Sequence, residues 1–340
     1  MSSLPKENKT LYNGILSLVV LFVVGILLQT TVSYFVAPLF LDVDTDILNE
    51  LTEKSEAIAK SSNISPDNLQ QTLVEGSLQI KAMLNRSEFL WIYFLQISYN
   101  IVCFLVVALV FRRYMFSKNE IKKDWKKSPL QLYLLTPMLL LSSTFLLSKS
   151  LQLNEALGID WVLNLLDWDI NTASVSNMIF GYAVFLPESY EQLLTSLLFV
   201  AIVPALGEEL FFRAGIQKFL SSKVKNTHNV IFITAFIFSA IHMDITAFFY
   251  RFLLGVLLGY VYYWSKSIVI PIIIHALNNS LSLVAMFYIS RSGSVDSEVQ
   301  LDQIEGEGTM MALSVIMLCS ILYTFYSYHR KVTTITKISA

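Results

Sequence analysis

The sequence predicts an all-α fold, a polytopic membrane helix bundle of about eight transmembrane helices. Three observations predict it. Apolar stretches long enough to cross a bilayer, which takes about 20 residues, recur along the whole chain. Only 15% of the 340 residues are charged while 54% are hydrophobic, with mean hydropathy +0.57, against roughly 25% charged in soluble domains. The loops between the stretches also alternate in charge, basic then acidic. Helices follow because backbone groups in lipid must be satisfied within their own segment.

The first span lies near 13–37. It is too long for the apolar region of a signal peptide and lacks a small-residue cleavage site, so it reads as a retained anchor. Residues 38–89 read as one or two amphipathic helices outside the bilayer. Ser65-Pro66-Asp67 offers an N-cap, a proline at the first helical position and an early acid. Spans follow near 90–111 and 130–149. Residues 150–190 carry Trp161, Leu163, Leu165, Leu166 and Trp168 among acids, which suggests an interfacial helix on the outer leaflet that shields the bundle. Asn63 and Asn85 stand in N-x-S contexts that matter only in a eukaryotic secretory compartment. Further spans lie near 192–220, 229–243, 246–265, 267–290 and 309–328. The first of these is long and interrupted. The second is short, so its far end stops within the bilayer or is shielded by neighbours.

Loop charge orients the bundle. Arg112, Arg113, Lys118, Lys122, Lys123, Lys126, Lys127, Lys218, Lys223, Lys225, Lys266, Arg330, Lys331 and Lys337 fall on one side, together with both termini. By the positive-inside rule that side is cytoplasmic. The opposite loops carry Asp42, Asp44, Asp46, Glu50, Asp160, Asp167, Asp169, Glu188, Asp296, Glu298, Asp302, Glu305 and Glu307. The chain divides into an N-terminal membrane region (1–190, with extracytoplasmic segments 38–89 and 150–190), a core at 191–290, and a last loop, span and tail at 291–340.

Composition excludes several functions. A net charge of −2 gives no basis for a nucleic-acid partner. Cys103 and Cys319 lie in apolar spans and read as packing residues, with no CxxC, zinc ligand set or disulfide framework. No GxSxG or cysteine nucleophile context appears.

The chemistry concentrates in three pairs at helical spacing: Glu209 with Arg213, Phe238 with His242, and His275 with Asn279, plus Glu208 beside the first. Each ionisable residue at membrane depth costs about 2.5–3.5 kcal/mol, so the group points inward and reads as a functional site. Glu208 and Glu209 lie about 100° apart on a helix and do not share one role. Glu209 is one turn from Arg213 and suits an ion pair. Glu208 is left free and suits proton transfer. Pro204 removes a helix hydrogen bond, Gly207 leaves room for a neighbour, and Pro271 bends the span before His275. His228 and His329 sit at cytoplasmic ends and read as ordinary surface residues. Counting from the basic ends places His275 about 13 Å deep and Glu208 about 15 Å deep, but His242 about 20 Å, too deep unless its helix tilts.

Glu208-Glu209-x-x-x-Arg213, Phe238-x-x-x-His242 and His275-x-x-x-Asn279 together resemble the three-part signature of the CPBP family, which comprises type II CAAX prenyl endopeptidases and Abi-type bacteriocin-processing and immunity proteins. The likeness covers about 190–290, where Arg251-Phe252 and Gly255-x-x-x-Gly259 also fit. It implies an intramembrane endopeptidase acting on a membrane protein or peptide. In that reading Glu208 and His242 activate water, His275 and Asn279 stabilise the oxyanion, and Glu209 and Arg213 hold the geometry. The family is often called a metalloprotease family, and Glu208, His242 and His275 are the candidate ligands for Zn²⁺ with one open position. HExxH is absent and the three ligands come from separate helices, so we favour water activated by glutamate without a required metal.

Two other classes stay open at this level. One is a non-proteolytic immunity or scaffold protein whose charged cluster serves stability. The other is a proton-coupled transporter using Glu208 and His242 as a relay, against which the chain shows no inverted repeat of broken helices. The expected setting is a bacterial cell membrane.

Overall fold

The computed structural model describes residues 11–61, 69–156, 170–242, 247–292 and 307–338. All regular structure among them is helical. In chain order the helices are α1 (Leu11–Leu39), α2 (Ile47–Ser61), α3 (Leu69–Met83), α4 (Arg86–Met115), α5 (Lys118–Asp124), α6 (Leu130–Ala156), α7 (Ile170–Phe185), α8 (Tyr190–Ser221), α9 (Thr227–Ala240), α10 (Phe248–Ser265), α11 (Val269–Ser292) and α12 (Glu307–Ile338).

The chain is a multi-pass membrane helix bundle. Among the described residues six helices are long and apolar enough to cross a bilayer: α1, α4, α6, α8, α11 and α12. The other two expected spans are shorter. α9 has 14 residues, about 21 Å at 1.5 Å per residue, less than the roughly 30 Å hydrocarbon core. α10 has 18 residues, with Arg251 in its first turns. The two compensate by packing extensively on each other. Gly255 allows the approach, since a Cβ there would stand 3.1 Å from the Ala235 backbone.

α8 is the centre of the bundle and α1 and α12 its rim. In the most apolar window of each, 44% of α8 is buried but only 11% of α1 and of α12. Rim side chains such as Val19, Leu27, Leu313 and Ile316 face outward, as a lipid-facing surface requires.

Three buried apolar clusters hold the helices together. Phe104, Val107 and Phe111 of α4 interlock with Leu210, Phe212 and Phe219 of α8 and Phe238 of α9. Leu132 and Leu139 of α6 pack with Leu258 and Val261 of α10, Ile270 and Ile274 of α11, and Phe325 of α12. The third cluster caps one end of the bundle: Leu51 of α2, Ile80 of α3 and Ile179 of α7 close over Trp91 of α4. The Trp91 indole N–H donates to the Ser33 carbonyl at 2.8 Å, and Ser55 and Ser176 share a hydrogen bond at 2.7 Å across α2 and α7.

The segment 38–89 thus contains two helices, α2 and α3, although Ser65, Pro66 and Asp67 lie outside the described residues. Trp161, Leu163, Leu165, Leu166 and Trp168 lie outside them too. α7, later in the same expected interfacial segment, instead packs in the cap against α2 and α3.

The other end of the bundle is tied by a buried charge cluster that includes Arg112 and Lys218, two residues counted from sequence as loop charges. Asp124 Oδ2 accepts from Arg112 Nη2 at 2.8 Å, and its two oxygens lie 2.7 and 2.8 Å from Lys218 Nζ. The Tyr262 hydroxyl donates to Asp124 Oδ1 at 3.1 Å, and the Asp124 carbonyl accepts from Ile268 N at 2.7 Å. One residue, Asp124 of α5, therefore links α4, α8 and α10 through its carboxylate and the chain just before α11 through its carbonyl. Arg112 is buried because its charge meets Asp124 rather than water.

Candidate active site

α8 is not a uniform helix. Its regular stretch, Val203–Phe211, lies between two π-helical stretches, Leu197–Ile202 and Phe212–Gln217. Pro204, with no N–H to give, opens the regular stretch directly after the first wide turn. Gly207 meets α4 at its own π-helical stretch: a Cβ there would stand 3.3 Å from the Asn100 carbonyl oxygen and from Leu105 N. Any larger residue would push α4 away from the face that carries Glu208.

The adjacent glutamates diverge as their spacing requires. Glu209 points into the protein and is fully buried with Arg213. Its Oε1 accepts from Arg213 Nη1 at 2.8 Å and from His275 Nδ1 at 2.9 Å. Arg213 is held further by its Nη2 donating to the Gly255 carbonyl at 3.2 Å and by the Phe238 ring, 4.6 Å from its guanidinium carbon. One turn on, Gln217 Nε2 repeats the contact with α10 by donating to the Gly259 carbonyl at 3.0 Å.

Glu208 faces two imidazoles. Its Oε2 lies 3.9 Å from His242 Nε2 and 3.8 Å from His275 Nε2. This oxygen is buried and has no hydrogen-bond partner. The two histidines share a tautomer. His275 Nδ1 faces a carboxylate and His242 Nδ1 faces the Phe238 carbonyl at 2.7 Å. Both partners accept, so each Nδ1 carries a proton and each Nε2 is turned toward Glu208. The two Nε2 atoms therefore face the Glu208 Oε2 from beyond hydrogen-bonding distance, at 3.9 and 3.8 Å. Such a group is satisfied by a donor between them.

His242 reaches the site because α9 ends earlier than its apolar pattern suggests. The helix stops at Ala240, and His242 sits in the turn that follows. Its Nδ1 folds back onto the Phe238 carbonyl, one of the carbonyls that a helix C-terminus leaves without a partner. The Phe238 ring sits under both imidazoles, 5.1 Å from His242 and 5.7 Å from His275. With its side chain 28% exposed, His242 is on the open side of the site, whereas His275 is 4% exposed.

Asn279 lies one turn beyond His275 on α11 and is half-buried. Its Oδ1 takes a long hydrogen bond from Asn278 Nδ2 at 3.5 Å, and Asn278 Oδ1 accepts from the Tyr250 hydroxyl at 2.8 Å. Neither Tyr250 nor Asn278 had been singled out from sequence, since each borders a recognised position and its role appears only when α10 and α11 meet.

The donor types suit zinc, but the spacing does not. Tetrahedral zinc with ligand lengths of about 2.0–2.1 Å separates its donors by about 3.4 Å, short of the 3.8 and 3.9 Å found here. Arms of about 2.8 Å, the length of a water hydrogen bond, span these gaps at about 90°. Among the described residues no group of three His, Cys, Asp or Glu side chains is arranged to hold a metal ion. No step is therefore derived through a metal.

Comparison with known proteins selects the same part of the chain. Residues 190–281 match the family model described as Rce1-like type II CAAX prenyl endopeptidase. A membrane-embedded CAAX protease of Staphylococcus aureus (strain USA300), MroQ, is 35% identical over 91 residues, covering 25% of this chain and 37% of that relative. The chain thus spans little more than a third of that relative's length. No solved structure matches the chain. All six site residues lie inside residues 190–281, the segment that is similar to the Rce1-like type II CAAX prenyl endopeptidase family model.

Proposed function

We propose that the protein is an intramembrane endopeptidase that cleaves a peptide bond in a membrane-associated protein or peptide, with water activated by Glu208. The observation that carries this reading is the convergence of Glu208 Oε2 with the Nε2 atoms of His242 and His275 at 3.9 and 3.8 Å. Glu208 Oε2 and one of the two imidazole Nε2 atoms accept the two protons of a water molecule and leave its oxygen lone pairs for attack. Glu208 takes a proton as the water oxygen bonds to the substrate carbonyl carbon. The Asn279 carboxamide supplies N–H donors to the oxyanion. Glu208 then returns the proton to the amide nitrogen as the carbon–nitrogen bond breaks, leaving a carboxylic acid, which loses its proton to water, and an amine.

The remaining residues serve geometry. His275 hydrogen-bonds Glu209, which fixes its tautomer and ring orientation, and Arg213 balances the Glu209 charge. In this reading His275 stands on the water side of the site, beside Glu208, rather than with Asn279 at the oxyanion. The catalytic unit is residues 191–290, with both termini on the cytoplasmic side of a bacterial cell membrane. The family name suggests a lipid-modified peptide as one substrate class. The test compares protein and peptide termini in cells carrying wild type or Glu208→Gln. New termini only with wild type support cleavage. Identical termini in both would remove the reading.

A further inference from the structure

A cavity of about 620 Å³ lies between the start of α9, the end of α10 and α12. It belongs to the basic end of the bundle, far along α9 from His242. Its walls are aromatic. Tyr260 and Trp264 stand 5.0 Å apart, Trp264 and Tyr326 6.1 Å, and Tyr263 and His329 4.7 Å. The lining residues are Lys225, Asn226, Thr227, His228, Tyr260, Tyr263, Trp264, Tyr326 and His329, with no Asp or Glu among them. Lys266 stands just behind, its Nζ 4.2 Å from the Tyr263 ring.

The polar atoms here are of the kind that meet an anion. Lys225 and Lys266 are cations. The His228 Nδ1 and the Tyr260 hydroxyl are paired at 2.5 Å, but His329 Nδ1 is buried without a hydrogen-bond partner. The first amides of α9 do not contribute, because Asn226 Oδ1 already accepts from His228 N and Asn229 N. The charge would therefore come from side chains. Helix ends bearing lysines and rings of Tyr and Trp belong at the membrane–water boundary. At that depth the abundant anion is a lipid phosphate, and the cavity is within the range that takes a small ligand, about 300–1,000 Å³.

We propose that this cavity binds the phosphate-bearing headgroup of an anionic phospholipid, with Lys225 and Lys266 facing the phosphate and Tyr263, Trp264 and Tyr326 against the glycerol and upper acyl carbons. The site is separate from Glu208 and does not depend on the chemistry proposed there.

The test is native mass spectrometry of the full-length, delipidated protein in detergent, titrated with phosphatidylglycerol. Lys225→Gln and the double variant Lys225→Gln/Lys266→Asn are compared with wild type. Lys225 is exposed, and asparagine tolerates the left-handed backbone of residue 266 (φ 56°), so both variants keep the fold. Wild type should bind one phosphatidylglycerol about tenfold or more tightly than the double variant, with the single variant between. Phosphatidylcholine should bind wild type about tenfold more weakly than phosphatidylglycerol. Millimolar inorganic phosphate should leave the lipid bound. Equal lipid affinity in wild type and both variants, or equal affinity for the two lipids, would overturn the proposal. Displacement by inorganic phosphate would assign the site to the free anion instead.

Discussion

His275 stands between the two adjacent glutamates, with Nδ1 2.9 Å from Glu209 Oε1 and Nε2 3.8 Å from Glu208 Oε2. One imidazole thereby joins the structural half of the site to the half where the reaction is placed. The proton on Nδ1 is fixed by Glu209, and the lone pair on Nε2 follows from it.

The Glu209–Arg213 pair is fully buried, so its two members are worth more together than either alone. Arg213→Met strands Glu209 and should cost about 3–5 kcal/mol of stability. Adding Glu209→Gln should restore much of that loss, because no uncompensated charge remains. Thermal unfolding of the purified variants in detergent checks this. A double variant no more stable than Arg213→Met alone would show that the ion pair is not what holds α8.

Asp124 gathers Arg112, Lys218 and Tyr262 at the basic end of the bundle. Asp124→Asn keeps the shape and removes the charge that both cations face. It should lower stability by about 3–5 kcal/mol without changing the cleavage chemistry once the protein is folded. Unfolding curves and the specific activity of the folded fraction measure the two effects separately. Unchanged stability would reduce the cluster to a surface feature.

Tyr250 reaches Asn279 through Asn278, and Tyr250→Phe removes only the hydroxyl. The hydrogen bond lost is worth about 1 kcal/mol, so kcat should fall about fivefold while KM holds. If Tyr250 instead binds substrate, KM rises and kcat holds.

The distances around Glu208 suit water better than zinc. Dialysis against a strong chelator should leave activity within about twofold, well under the tenfold that 1.36 kcal/mol of barrier represents. Full loss of activity, restored by zinc alone, would show that Glu208, His242 and His275 move inward onto a metal.

What was legible in the sequence was local. Glu209 and Arg213 lie on one helix, so their pairing follows from a spacing of four. The divergence of Glu208 from Glu209 follows from the 100° step between neighbours on a helix. The clustering of ionisable residues in apolar stretches pointed to the site as a whole. Contacts between helices were less accessible. Where α9 stops goes with the fold-back of His242 onto the Phe238 carbonyl, which no periodicity encodes. Arg112 and Lys218 count as loop charges until Asp124 is seen between them. His228 and His329, read as plain surface residues, line a cavity built by three helices. Tyr250 and Asn278 acquire a partner only where α10 meets α11.

The most direct test of the central claim uses purified wild type and Glu208→Gln, reconstituted in vesicles and given the same membrane peptide substrate. Glutamine keeps the size of the side chain but takes no proton. The cleavage rate should fall at least about 10²–10⁴-fold, the share that a general base contributes, with an unchanged melting temperature. A Glu208→Gln protein that cleaves at close to the wild-type rate would contradict the account.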